Sequence, residues 1–163
     1  MNLLLVCFVF GQTPLVYAGV MFSFMHALLS TLMFFLVDSV QKRFNTRVIT
    51  NLSGIIHLAP NLGLSIIAMC LLFLALPFTL KFTCEFILLG GIVDISSLTL
   101  VLICLVINWI APISFCKAWY SVLFGTPSNK FYNVMDLDLK EIATIASCII
   151  LLILPATSTL AVL

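Results

Sequence analysis

Apolar residues run through this chain in long blocks, and short polar clusters separate them. Residues 15–37 and 98–124 are long enough as helices to cross a hydrocarbon core of about 30 Å. A further apolar helix opens at Glu141 and runs to Leu154, where Pro155 is expected to interrupt it. The two-residue alternation of a membrane barrel is missing from these blocks, so the pattern predicts helices. Residues 62–94 form the longest block, yet Pro77, Lys81 and Glu85 interrupt it. One straight helix of that length would overshoot the core. Pro77 removes a backbone donor and clashes with the preceding turn, which predicts a break at Pro77–Thr79. Freed backbone groups at membrane depth are tolerated only under a cover of protein or water.

The pattern therefore predicts an all-α chain of polytopic transmembrane helices, one of them broken in mid-membrane. Residues 1–163 read as a single membrane domain of about four full helices plus a short opening half-helix at residues 3–10. Connections fall at Gly11–Pro14, from Asp38 to about Pro60, at Asp94–Ser97, and from Gly125 to Lys140. Ser96 or Ser97 suits a helix cap.

Composition sharpens this picture. The chain is 63% hydrophobic and 8% charged, with a mean hydropathy of +1.30, which excludes a soluble globular domain. Net charge is +1 with no basic patch, so nucleic acid is not an expected partner. Cys7, Cys70, Cys84, Cys104, Cys116 and Cys148 lie scattered in apolar runs without ligand spacing. They read as small buried hydrophobes, and no metal or other cofactor is expected. The opening residues lack a positive segment and a cleavage site, so they do not read as a signal peptide. Lys42, Arg43 and Arg47 in one connection and Lys130 and Lys140 in another lie on the same side. By the positive-inside rule that side is the cytoplasm or the mitochondrial matrix, and Glu85 falls in the outward half of the broken helix.

Ionisable groups inside membrane spans commonly mark ion or proton paths. His26 lies near the centre of the first span, and Gly19, Ser23, His26 and Ser30 share one helix face. That stripe suits a partner helix, because lipid satisfies none of its polar groups. An imidazole titrates near neutral pH and hands on a proton from either nitrogen. His26 is thus a proton-relay candidate, the alternative being a hydrogen-bonded packing histidine. Glu85 is a candidate proton-accepting site, or else an ion-pair partner. Lys81 stands four residues before it, on the same face, as either a counter-ion or a second relay group. Lys117 is expected to snorkel, Asn108 to join helices, and His57 to sit at the interface. Asp136, Asp138, Lys140 and Glu141 read as a solvated cap.

Several of these residues also carry a family resemblance. The segments MHALLSTLMFFLVDSVQKRFNTR (residues 25–47), Ser53-Gly54-Ile55 and LALPFTLKFTCEF (residues 74–86) resemble the C-terminal third of an antiporter-like, proton-pumping membrane-arm subunit of respiratory complex I. Pro77, Thr79, Phe82, Glu85 and Phe86 keep the family's places. Glu rather than Lys on the broken helix favours one of the three paralogues in that complex. Phe78 and Cys84 replace two family glycines, and Lys81 stands where the family is usually small or polar.

The resemblance implies part of a proton channel with no redox chemistry in this chain, in the mitochondrial inner membrane. His26 and Glu85 would be relay groups, and Pro77 and Thr79 the hinge between them. Implied partners are other membrane-arm subunits, lipids, and a second chain supplying the N-terminal helices, the present chain being a split product or fragment. The rival expectations are a structural or assembly protein with Lys81–Glu85 as a mere ion pair, and a subunit of a cation/proton antiporter.

Overall fold

The computed structural model describes residues 2–77, 79–95, 98–126 and 134–162. Phe78, Ser96, Ser97 and Lys130 therefore lie outside the described residues. The described residues are helical, with seven α-helices: α1 (Asn2–Phe10), α2 (Thr13–Phe44), α3 (Ile55–Leu58), α4 (Pro60–Phe73), α5 (Leu80–Ile95), α6 (Leu98–Phe124) and α7 (Leu139–Val162). A single 3-10 turn spans Ile49–Asn51. α2 and the Val101–Phe124 part of α6 are long and apolar enough to cross a membrane.

α2 outruns the 15–37 span expected from the pattern. Pro14 is pre-set for its first turn, and Asn45 ends it in the left-handed region, its N–H bonded to the Gln41 carbonyl. At about 48 Å it is longer than the hydrocarbon core, so Lys42 and Arg43 are carried out of the core at its basic end. α6 matches the expected span and runs unbroken through Pro112. α7 corrects the expectation at Pro155: it stays helical through that position to Val162. Neighbouring helices and local adjustment let a membrane helix absorb a missing N–H where a soluble helix would stop.

The broken span is present as two helices. α4 ends at Phe73, and α5 begins at Leu80. Ala75 between them has φ 54°, a left-handed conformation that costs a non-glycine residue about 1–2 kcal/mol. Thr79 caps α5: its hydroxyl accepts from the Phe82 N–H at 3.4 Å and donates to the Leu76 carbonyl at 2.6 Å.

α5 packs most extensively on α2 and also meets α7 and α6, so the outer half of the break is held between three helices. The main core joins Met25, Leu29, Leu32 and Leu36 of α2 to Leu62, Ile66 and Met69 of α4, Leu80 of α5 and Leu152 of α7. A second, smaller core gathers Cys7, Leu15, Leu88, Ile92, Val101 and Cys104. Gly19 makes α1's close approach possible, because a Cβ there would stand 3.0 Å from the Cys7 Cβ.

Candidate functional site

The Lys81 ammonium sits at the break and has two acceptors. It donates to the Phe73 carbonyl and lies 3.6 Å from Glu85 Oε1. In a continuous helix the carbonyl of residue 73 would accept from the N–H of residue 77. Residue 77 is proline and has no N–H, so Lys81 supplies the donor that Pro77 withholds. Its charge also lies at the C-terminal end of α4, where the helix dipole favours a cation. The ammonium is 5.6 Å from the centre of the Phe73 ring, and that ring stacks on Phe115 of α6 at 4.4 Å. One side chain thus ties together both halves of the broken helix and α6.

Glu85 is nearly enclosed, with 12% of its side chain exposed against 11% for Lys81. Glu85 Oε1 is buried without a hydrogen bond. Lys81 is too far for one, and Asn108 faces the carboxyl from α6. A buried carboxylate oxygen left unbonded is expensive, so the protonated acid competes with the ion pair here and leaves the Lys81 ammonium to the Phe73 carbonyl and ring. The site can therefore hold Glu85 either as a neutral acid or as a carboxylate paired with the nearby ammonium. Pro77 is exposed at the turn, and Thr79 is buried with its hydroxyl committed to backbone.

His26 is half-buried on α2, and its imidazole makes no hydrogen bond or ion pair among the described residues. Its neighbour Met25 faces the break: with Leu29, Leu72, Thr79, Leu80, Lys81 and Leu152 it lines a crevice too narrow for a water molecule. Lys81 and Glu85 are brought together; no bond joins His26 to either. The polar stripe is corrected in one respect. The Ser23 and Ser30 hydroxyls donate within their own helix, to the Val20 and His26 carbonyls, so neither needs a partner helix. Gly19 is covered by α1, while Ser23 stays exposed.

The polar stretch before α7 is more than a solvated cap. Asp136 reaches back to the start of α4 and accepts the N–H groups of Asn61 and Leu62 at 2.9 and 3.1 Å. Arg43 at the end of α2 donates to the Met135 and Asp136 carbonyls and pairs with Glu141. Glu141 in turn accepts the Asp138 N–H at 3.1 Å, one half of a capping box. Glu141 lies in the first turn of α7, next to the polar residues Asp136, Asp138 and Lys140. The Arg43 guanidinium holds its carboxyl below the usual range. This clasp joins α2, α4 and α7 on the basic side and anchors the inner half of the broken helix. The Asp138-x-x-Glu141 spacing was a readable helix start; the reach of Asp136 to α4 had no local signal. Lys117 and His57 are exposed. Cys7, Cys84 and Cys104 are buried, the other three cysteines are half-buried, and all six are free thiols.

A family model described as the NADH:quinone oxidoreductase/Mrp antiporter transmembrane domain matches residues 1–111. Those residues include both halves of the broken helix. The chain is 37% identical over 149 residues to NADH-ubiquinone oxidoreductase chain 4 of Paramecium tetraurelia, covering 91% of this chain and 31% of that protein. It is 29% identical over 147 residues to NADH-quinone oxidoreductase subunit M of Rickettsia bellii, covering 89% of this chain and 30% of that protein. The chain thus spans about a third of the length of the relatives it matches.

Proposed function

The chain belongs to the NADH:quinone oxidoreductase/Mrp antiporter transmembrane family, and we propose that it is the C-terminal part of chain 4, a proton-translocating membrane-arm subunit of mitochondrial NADH:ubiquinone oxidoreductase. In this reading it carries part of a proton channel in the inner membrane and does no redox chemistry. Glu85 is the proton-accepting group, His26 relays protons along the membrane axis, and Lys81 is Glu85's charged neighbour. Pro77 and Thr79 form the hinge. Residues 1–163 act as one membrane unit. Its partners are other membrane-arm subunits, lipids, and a second chain supplying the remaining helices.

The observation that carries the reading is the enclosed Glu85 carboxyl beside Lys81 at the helix break, inside the stretch that the family model matches. Such a group is costly to keep in a membrane unless it works. The similarity to a protein named chain 4 favours the quinone reductase over the antiporter branch of the family.

The test is proton yield per NADH oxidised in vesicles holding the assembled complex. Glu85→Gln keeps shape and hydrogen bonding but carries no proton, so it lowers the yield more than Lys81→Met does. Equal losses from both would mark a structural ion pair, since removing either partner strands a buried charge. Separation of the chain from NADH–quinone reductase activity on purification would overturn the assignment. Cross-linking from a cysteine at the exposed Ser23 position would identify the second chain.

A further inference from the structure

We propose that Lys81 is a latch on the helix break, set by the proton on Glu85: it caps the Phe73 carbonyl while Glu85 is neutral and leaves that carbonyl for the carboxylate when Glu85 is charged. The proposal rests on the reading of Glu85 as a proton site and gives Lys81 a positioning role beside it.

The geometry poses a competition. The Phe73 carbonyl has lost its natural donor to Pro77, and Lys81 replaces it. Glu85 Oε1 stands 3.6 Å from the same ammonium with no hydrogen bond. A charged carboxylate draws an ammonium to about 2.8 Å, so a shift of about 1 Å would close the pair. The arrangement present is the one a neutral acid permits. When Glu85 gives its proton to water, the carboxyl O–H is the one covalent bond broken and Lys81 keeps all of its own protons. The ammonium then has a full negative charge to choose over a neutral carbonyl, and the direct Coulomb attraction of the ion pair is what the carbonyl cannot match.

Releasing the Phe73 carbonyl matters because, among the described residues, few other bonds close the turn: the Thr79 N–H and hydroxyl both serve the Leu76 carbonyl on the α5 side. The Leu74 N–H serves Cys70 and the Ala75 N–H serves Leu72, at 3.1 and 3.3 Å. Ala75 is already strained, and the crevice lined by Leu72, Thr79, Leu80 and Lys81 is closed to water. Uncapping α4 therefore loosens a turn that has a reason to move and admits water next to Glu85. The other groups facing the pair are Cys70 on α4, Cys116 and Asn108 on α6, and Cys84 on α5, which also meets Cys7 of α1. α2 contributes Met25 and Leu29 and α7 contributes Leu152, none of which titrates. Thiols and amides are neutral at physiological pH, so the carboxyl is the group that changes charge.

The experiment places a reporter cysteine at Leu76, an exposed turn residue, in membranes holding the assembled complex. Its alkylation by a neutral maleimide is followed across pH. Each rate is divided by that of the same reporter in Glu85→Gln, which cancels the ionisation of the thiol itself. With Lys81 present the ratio should rise from about one to about tenfold as pH increases, the opening factor for one lost hydrogen bond from a charged donor at the weak end of its range. Lys81→Arg should keep the rise, and Lys81→Met should give a high, pH-independent ratio. A flat ratio with Lys81 present would overturn the latch, as would an unchanged rise in Lys81→Met. The comparison with Lys81 present stands alone if Lys81→Met does not assemble. Proton yield is read on the same membranes. A pH-responsive break with full proton yield in Glu85→Gln would keep the latch and sink the channel reading. A flat break with lost yield in Glu85→Gln would do the reverse.

Discussion

Asp136→Ala should unfasten the inner half of the broken helix. The carboxylate accepts two of the orphan N–H groups that open α4, those of Asn61 and Leu62. Losing an N-cap side chain costs about 1 kcal/mol, and losing its charge at the positive end of the helix dipole costs about 0.5 kcal/mol more. The second backbone bond brings the total to about 2 kcal/mol, a factor of about 30 in the local opening equilibrium. Hydrogen exchange at the Asn61 and Leu62 amides in the assembled complex reads this directly. Asp136→Asn keeps one acceptor oxygen, enough for one of the two N–H groups, and loses the charge, so it should cost about 1 kcal/mol and speed exchange about fivefold to tenfold. Equal exchange in Asp136→Asn and Asp136→Ala, or no change in either, would mean that these amides owe their protection to the surrounding helices and not to the clasp.

Further outcomes follow from the same geometry. His26→Ala should lower proton yield while leaving assembly intact, because the imidazole makes no hydrogen bond among the described residues; an unchanged yield in a fully assembled complex would make it a packing residue. Arg43→Lys should loosen the clasp by about 1–2 kcal/mol, since an ammonium cannot reproduce the fork that reaches Met135, Asp136 and Glu141 together. Exchange at residues 135–138 measures it, and exchange equal to that with Arg43 would refute the fork. The folded Glu141 carboxyl lies below its usual range, so its pairing with Arg43 is in place above the ordinary glutamate range and is lost as pH falls below it. Exchange at those residues, divided by the intrinsic amide rate at each pH, should therefore rise on acidification, and Glu141→Gln should abolish the rise. Gly19→Leu should displace α1, because the first side-chain carbon already meets Cys7 at 3.0 Å. Overpacking of this kind costs about 1–3 kcal/mol, read as a lower unfolding temperature of the complex.

The helical class, the spans, and the break near Pro77 were legible in the residues because their causes are local. Apolar runs longer than a membrane is thick demand helices, and proline removes a donor wherever it stands in one. The i,i+4 spacing of Lys81 and Glu85 likewise put both on one face before any packing was known. Pro155 was misread because its effect depends on surroundings: a soluble helix would stop there, and this one does not. The polar stripe on α2 was half misread because serine hydroxyls can turn back to their own helix, a choice the spacing cannot reveal. What only the tertiary structure decided are the contacts between residues far apart in the chain. Asp136 caps a helix that begins 76 residues earlier, at Pro60, and Arg43 reaches Glu141 across 98. Lys81 caps the Phe73 carbonyl because the turn leaves the first residues of α5 within a lysine's reach of the end of α4, bringing an ammonium to the acceptor that Pro77 left bare. Local chemistry sets which groups are left wanting a partner, and only the folded chain settles which side chain arrives to satisfy them.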